Sequence, residues 1–163
     1  TILIMNTNIL SILNIKADYA QEMNAKLNKL AATLHVYYSN LRGFHWHVEG
    51  KSFFTFHEEL EKMYDAEAER IDEVAERILQ LGGVPVRLYA DIEKLSEIKQ
   101  SEIITCSSEI SKNLLETVAV LIRLEREIAA LAADNNDDVT AGMMSEYIAG
   151  QEKLVWMLTA FLK

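Results

Sequence analysis

The chain has 163 residues, half of them hydrophobic, and a formal net charge of −9 at pH 7. That length suits one folded domain with a sizeable core. The negative balance argues against a general nucleic-acid-binding surface and suits a protein that attracts cations.

One Pro and six Gly, the latter concentrated at element ends, fit an all-α domain better than a sheet protein. Cys106 is the only cysteine, so an internal disulfide is excluded and a reducing, cytoplasmic setting is expected. No apolar run reaches the roughly 18 residues of a membrane span. The opening TILIMNTNIL lacks a positive n-region and a cleavage signature, so no signal peptide is expected. Either Thr1 or Met5 fits as the native start. Residues 1–16 read as a short tail and 17–163 as one domain.

The first helix is expected from Asp18 to about Phe44, with Leu27, Leu30, Leu34, Tyr37, Tyr38 and Leu41 as its inner stripe. His35 has no acidic or histidine partner one turn away, so it reads as a half-buried or surface residue rather than a ligand. Gly43 and Gly50 loosen the way out of this helix.

A long central helix follows, from about Ser52, a plausible N-cap, to Leu81, where Gly82-Gly83 and Pro85 stop it. Its apolar face is Phe53, Phe56, Leu60, Met63, Tyr64, Ile71, Val74, Ile78 and Leu81. Two pairs on it are spaced i, i+4: His57 with Glu61, and Asp72 with Glu76. Glu61 and Asp72 are about 20° apart around the axis but about 16 Å apart along it. Metal–ligand bonds are roughly 2 Å, so both pairs cannot hold one ion within one chain. His57 and Glu76 are equidistant from a point between Ala66 and Glu67, and so are Glu61 and Asp72. Two copies of the helix crossing antiparallel at that point would set His57 against the second copy's acidic pair, giving two identical sites in an isologous dimer. His45 is placed to fold back over His57 around the Gly50 turn. Such mixed nitrogen and oxygen ligands suit Fe(II), Mn(II) or Zn(II) better than Ca(II). Spacing alone equally fits a solvated acidic helix face, because i, i+4 acidic pairs are common on exposed helices. His47, two residues from His45, points away on a helix and reads as a surface residue.

After Pro85 comes a connection long for a bundle loop, with a short helix expected over Tyr89–Glu97. The third long helix is expected from about Ser101 to Ala133, with Ile103, Ile110, Leu114, Val118, Leu121, Ile122, Ile128 and Leu131 as its stripe. The acidic turn DNNDDVT supplies an Asp or Thr cap for a last helix over Thr140–Leu162, whose apolar residues include Met143, Tyr147, Leu154, Val155, Leu158, Phe161 and Leu162. Four long helices with a long second-to-third connection carrying a short extra helix describe a ferritin-like four-helix bundle. That fold's usual metal signature is Glu-x-x-His inside one bundle. Here the residues three before His35, His45, His47 and His57 are Ala32, Arg42, Phe44 and Phe54, so a single-chain di-iron core is not expected.

The ordered set His45-Trp46, Gly50, Phe53, His57-Glu58, IDEVAER (Ile71–Arg77), LGGVP (Leu81–Pro85), DDVT (Asp137–Thr140) and VWMLTAFL near the C-terminus resembles the Dps family, the mini-ferritins named as DNA-binding proteins from starved cells. The resemblance implies a hollow dodecamer built from two-fold dimers. It implies Fe(II) bound, two per site, between two-fold-related chains and oxidised by hydrogen peroxide or oxygen, with zinc or manganese as competitors. The ferric product would be stored as mineral, so the chain is expected to be a ferroxidase that protects against oxidative stress. Carried over by position, His45 and His57 come from one chain and Asp72 and Glu76 from its partner. Glu61 stands where many members have Asp, and Trp46 where the family has a tryptophan beside the site, placed there for packing or electron donation. Asp134, Asp137, Asp138 and Glu146 lie where an acidic pore or an acidic helix cap is expected, with Asp134 and Asp138 the favoured pore residues. Gly142 replaces a frequent Asp. The Lys/Arg-rich extension of DNA-condensing members has no counterpart in the first twenty residues, whose one basic side chain is Lys16. A DNA-protecting scaffold is the alternative function, but DNA binding is expected to be weak or absent.

Overall fold

Tyr19, Met23, Leu27, Leu30, Leu34, Tyr37, Leu41 and Phe44 recur at three- and four-residue steps and are all buried, so residues 17–47 present one continuous apolar stripe. In the computed structural model, which describes residues 7–163, this stripe lies on the longest of six helices. The helices are α1 (Thr7–Ile12), α2 (Ala17–His47), α3 (Phe53–Gln80), α4 (Tyr89–Leu95), α5 (Ser107–Asp134) and α6 (Asp138–Phe161). The four long ones form a bundle in which α2 packs on α3, α5 on α6 and α2 on α5. Leu60, Val74 and Ile78 from α3, Ile110 to Ile128 from α5, and Met144, Tyr147 and Leu158 from α6 complete the core. Each fully buried Leu or Ile contributes about 1.5–3 kcal/mol. No helix among the described residues is long and apolar enough to cross a membrane.

The connection from α3 to α5 runs the length of α2, and polar residues of α2 hold it there. Asn24 Nδ2 donates to Leu81 O at 3.0 Å, and Asn28 Oδ1 accepts from Val86 N at 2.7 Å. Thr33 Oγ1 accepts from Glu97 N at 3.2 Å. Asn40 donates to Lys99 O and accepts from Ser101 N, at 3.0 and 2.9 Å. Between them Ala32 and Val36 bury Ile92 of α4. Backbone groups of an irregular segment need such partners when no regular ladder supplies them. Gly83 is required beside Asn24, because a Cβ there would come within 2.6 Å of the Asn24 side chain.

Several details of the helix ends differ from expectation. Residues 101–106 are not helical: Cys106 pairs with Glu49 in an isolated parallel bridge, and α5 starts at Ser107. Ile103 is therefore off the inner stripe and 72% exposed. Part of the expected tail, Thr7–Ile12, is helical, with Leu10 buried; its first six residues, and with them the choice between Thr1 and Met5, lie outside the described ones. At the start of α3 Ser52 holds the N-cap position but makes no side-chain cap bond, whereas Asp137 caps α6 by accepting from Thr140 N.

Candidate metal centre

The last turn of α2 and the first turn of α3 meet across a tight reversal in which Gly50 takes φ 94°, a conformation that side chains with a Cβ resist. The reversal lays His57 on His45, with ring centroids 3.7 Å apart and planes within 16°. Each ring is clamped by the other's main chain. His45 Nδ1 donates to His57 O at 2.7 Å, and His57 Nδ1 donates to His45 O at 2.8 Å. A carbonyl oxygen only accepts, so both protons sit on Nδ1 and both Nε2 lone pairs are left free for a metal. The second carbonyl is open because of how α2 ends. Glu49 N, which would continue the helix onto His45 O, donates to Thr105 O at 2.9 Å instead.

Glu61 lies one turn beyond His57 on α3. Ligand atoms of His45, His57 and Glu61 all fall within 4.8 Å of one another, the scale of ligands around one ion with bonds of roughly 2 Å. His45 is buried, His57 half-buried and Glu61 exposed, so the cluster opens outward. Phe53 stacks on His57 at 5.0 Å, and Tyr64 meets His45 edge-on at 5.3 Å. These rings wall the site and hold the imidazoles in place.

Asp72 and Glu76 are not part of this cluster. They sit exposed, further along α3, about 16 Å from Glu61 in helix rise. Among the described residues Glu61, Asp72 and Glu76 make no ion pair, while their neighbours Glu58 and Glu59 both reach Lys62, at 2.8 and 2.9 Å.

Trp46 does not pack on either histidine. Its ring is 62% exposed, with the Arg42 guanidinium 5.3 Å from its centroid and 4.8 Å from that of Tyr38. His47 is exposed and His35 half-buried; burial lowers the His35 pKa below its usual value. Of the acidic turn, Asp134, Asp138 and Glu146 are exposed, and the first two share a cleft with Leu13, Asn14 and Lys16. Asp137 departs from the pore reading: it is buried, bonded by Arg77 Nη2 at 2.7 Å and Tyr19 OH at 2.6 Å. Its carboxylate ties three helices together at the cleft that Asp134 and Asp138 also line.

The sequence reading missed the reciprocal carbonyl clamp, which no side-chain pattern announces. It also passed over Glu67, Glu125 and Gln151, all buried. Their signal was present: each interrupts the apolar stripe of its helix.

A family model described as a ferritin-like domain matches residues 24–163. A DNA protection during starvation protein of Porphyromonas gingivalis is 45% identical over 153 residues, covering 94% of this chain and 96% of the relative. The protein of the same name from Brevibacillus brevis is 36% identical, with 91% and 99% covered. Among solved structures, a Dps protein of Vibrio cholerae, described as a member of a broad superfamily of ferritin-like diiron-carboxylate proteins, superposes with a TM-score of 0.89 at 37% identity, over 91% of this chain and 93% of that one.

Proposed function

The chain belongs to the Dps family of ferritin-like proteins, and from that premise we propose that it is a protective iron-oxidising and iron-storing protein whose reaction site is shared by two chains. The observation that carries this is the His45–His57 clamp with Glu61, a cluster whose two imidazoles are aimed by main-chain bonds and which no further His, Cys, Asp or Glu among the described residues joins. Asp72 and Glu76 supply the remaining ligands. They lie on α3 at the positions that a two-fold axis between Ala66 and Glu67 brings opposite Glu61 and His57.

Fe(II) is the substrate. Neutral imidazole from His45 and His57 retains Fe(II), and the hard carboxylates of Glu61, Asp72 and Glu76 favour Fe(III), so the ligand set draws the metal toward oxidation. Two Fe(II) held in one site each give up one electron. One hydrogen peroxide accepts both, its O–O bond breaks, and two protons complete two water molecules. No one-electron fragment of peroxide is released. Tyr64 and Phe53 exclude water from the inner side of the histidines, and Trp46 stands nearby in sequence as an oxidisable ring. Asp134 and Asp138 are placed to draw in Fe(II), and the assembly is a dodecamer that holds the ferric product in its cavity, in the cytoplasm.

Anaerobic Fe(II) loading followed by peroxide tests this. The expected result is rapid growth of Fe(III) absorbance, with the iron co-eluting with the protein in a large particle. Asp72→Ala with Glu76→Ala is expected to slow the rapid phase by more than about 100-fold, beyond the 10–100-fold typical of losing an outer-sphere partner, while leaving the particle intact. Wild-type oxidation kinetics in that double variant would sink the assignment.

A further inference from the structure

The four long helices bring polar side chains together in the middle of the bundle. Glu67 and Arg70 come from α3, Glu125 from α5 and Gln151 from α6, with Tyr37 of α2 close to Glu67. Glu67, Glu125 and Gln151 are 4%, 0% and 3% exposed. Gln151 Nε2 donates to Glu125 Oε1 at 2.7 Å, and Arg70 donates to Glu67 Oε1. Glu67 Oε2, Glu125 Oε2 and Gln151 Oε1 have no hydrogen-bond partner among the described residues. A cleft lined by Glu67, Arg70, Gly150 and Gln151 leads in from the surface between α3 and α6.

With both carboxyls ionised, each of these three oxygens can only accept, and one guanidinium faces two buried charges. One proton resolves both conflicts. Glu67 keeps its charge because Arg70 bonds to it. Glu125, whose partner is the neutral Gln151 amide, takes the proton. It then becomes a donor, with Glu67 Oε2 and Gln151 Oε1 as the acceptors left in the cluster, and the interior is neutral. Burial pushes the Glu67 carboxyl up to about 7 and, with the Glu67 charge adding to it, that of Glu125 up to about 8. The other groups facing the pair keep their charge state. Burial raises the pKa of Tyr37 from α2 and of Tyr147 from α6, the latter also through its bond to Glu73 of α3, so both phenols stay neutral. Arg70, 5.3 Å from the Tyr147 ring centroid, stays charged. Lys62 of α3, which also lines the cleft, is held by Glu58 and Glu59.

We infer that Glu67, Glu125 and Gln151 form a proton-held latch between α3, α5 and α6: one proton, carried on Glu125, closes the bundle interior at neutral pH, and its loss in alkali loosens the seam where the cleft lies. The sign follows from linkage. A carboxyl raised in the folded state carries no penalty below its unfolded value, and the penalty grows as pH rises until the folded value is passed. The latch therefore weakens with rising pH. One consequence rests on the function proposed above: α3 also carries both ligand pairs of the shared site, so the latch sets how firmly that helix presents them.

The test compares the full-length protein with E125Q in metal-free buffer. Glutamine has the shape of the protonated carboxyl, with one accepting oxygen and a donor in place of the O–H, and cannot ionise. The thermal midpoint of E125Q is expected to match wild type at pH ~5.5 and to lie several degrees above it at pH ~9, on either side of the latch. Titrations elsewhere in the chain are common to both proteins and cancel in the difference. A second readout needs no variant. Infrared difference spectra of wild type between pH ~7 and pH ~10 are expected to show the C=O stretch of an un-ionised carboxyl that disappears in alkali. A midpoint difference of the same size at both pH values, including none, overturns the proposal. So does the absence of that carboxyl band in wild type at pH ~7, which decides the matter even if E125Q does not fold. Neither measurement involves iron, so the latch can fail while the shared site stands, and the reverse.

Discussion

Asp137 joins three helices through two oxygens. Oδ1 accepts from Arg77 Nη2 at 2.7 Å and from Thr140 N at 3.0 Å, while Oδ2 accepts from Tyr19 OH and Thr140 Oγ1, both at 2.6 Å. Burial alone would raise this carboxyl, but the hydrogen bonds from Thr140, Tyr19 and Arg77 outweigh it and hold the pKa below the usual 3.8. The sign follows. A carboxyl depressed in the folded state gives stability that is complete above its unfolded value and is lost as pH falls through the folded one. Asp137→Asn, which leaves Arg77 buried without its counter-charge, is expected to cost about 3 kcal/mol at pH 7. That deficit should shrink below pH ~4. Urea unfolding of both proteins at pH 7 and pH 3 measures it, and a deficit of equal size at both would remove the ionised carboxylate from the account. At this scale the sequence announced a cap near Asp137 but not the burial, because Arg77 and Tyr19 lie on other helices and meet Asp137 only in the fold.

At the scale of elements, apolar periodicity is what made the bundle legible. Leu27, Leu34, Leu60, Val74, Leu114 and Leu121 sit on the stripes that the three- and four-residue steps describe, and all are buried. Residues 101–106 were misread because Ile103, seven residues before Ile110, fits a helix stripe as well as an extended run. What decides is pairing with remote partners: Glu49 through the bridge, and Asn40 through Ser101 N. The same limit hid the polar seam of α2, since an asparagine in a helix pattern looks the same whether it faces water or a crossing strand of chain. Asn28→Ala removes both the acceptor for Val86 N and the donor to Val84 O. Leaving such groups unsatisfied costs about 1–3 kcal/mol. Hydrogen exchange at the Val86 amide is expected to quicken about tenfold or more, with α3 and α5 unchanged, since 1.4 kcal/mol is a factor of ten. Unaltered exchange at Val86 would mean the connection is held by Ile92 and Ala32 packing alone. The cluster of His45, His57 and Glu61 was legible because His57–Glu61 is a local pair; its clamp was not, because it depends on where α2 stops.

The whole molecule carries a net charge of −9 and leaves Trp46, Phe54, Ile103 and Trp156 more than 60% exposed. The exposed apolar side chains are surface for a second chain to cover, and the carboxylates on α3 that make no ion pair among the described residues fit the proposed sharing of cations by two chains. In the proposed assembly the net charge is multiplied and repels phosphate. No gel shift of duplex DNA is expected from the pure assembly at about 0.15 M salt, where the Debye length is ≈ 8 Å; a clear, salt-sensitive shift would contradict this. The central claim, that one site draws ligands from two chains, has a direct test by complementation. Chains carrying His45→Ala and His57→Ala are co-assembled, after joint unfolding and refolding, with chains carrying Asp72→Ala and Glu76→Ala, and peroxide-driven Fe(II) oxidation is followed. Each variant alone is expected to be inactive. In a mixed two-fold pair one of the two sites is whole and the other has lost both its histidines and its Asp72–Glu76 pair, so an equal random mixture should recover about a quarter of the wild-type rate. A mixture as inactive as its parents would contradict the shared site and return the acidic row on α3 to an ordinary solvated helix face.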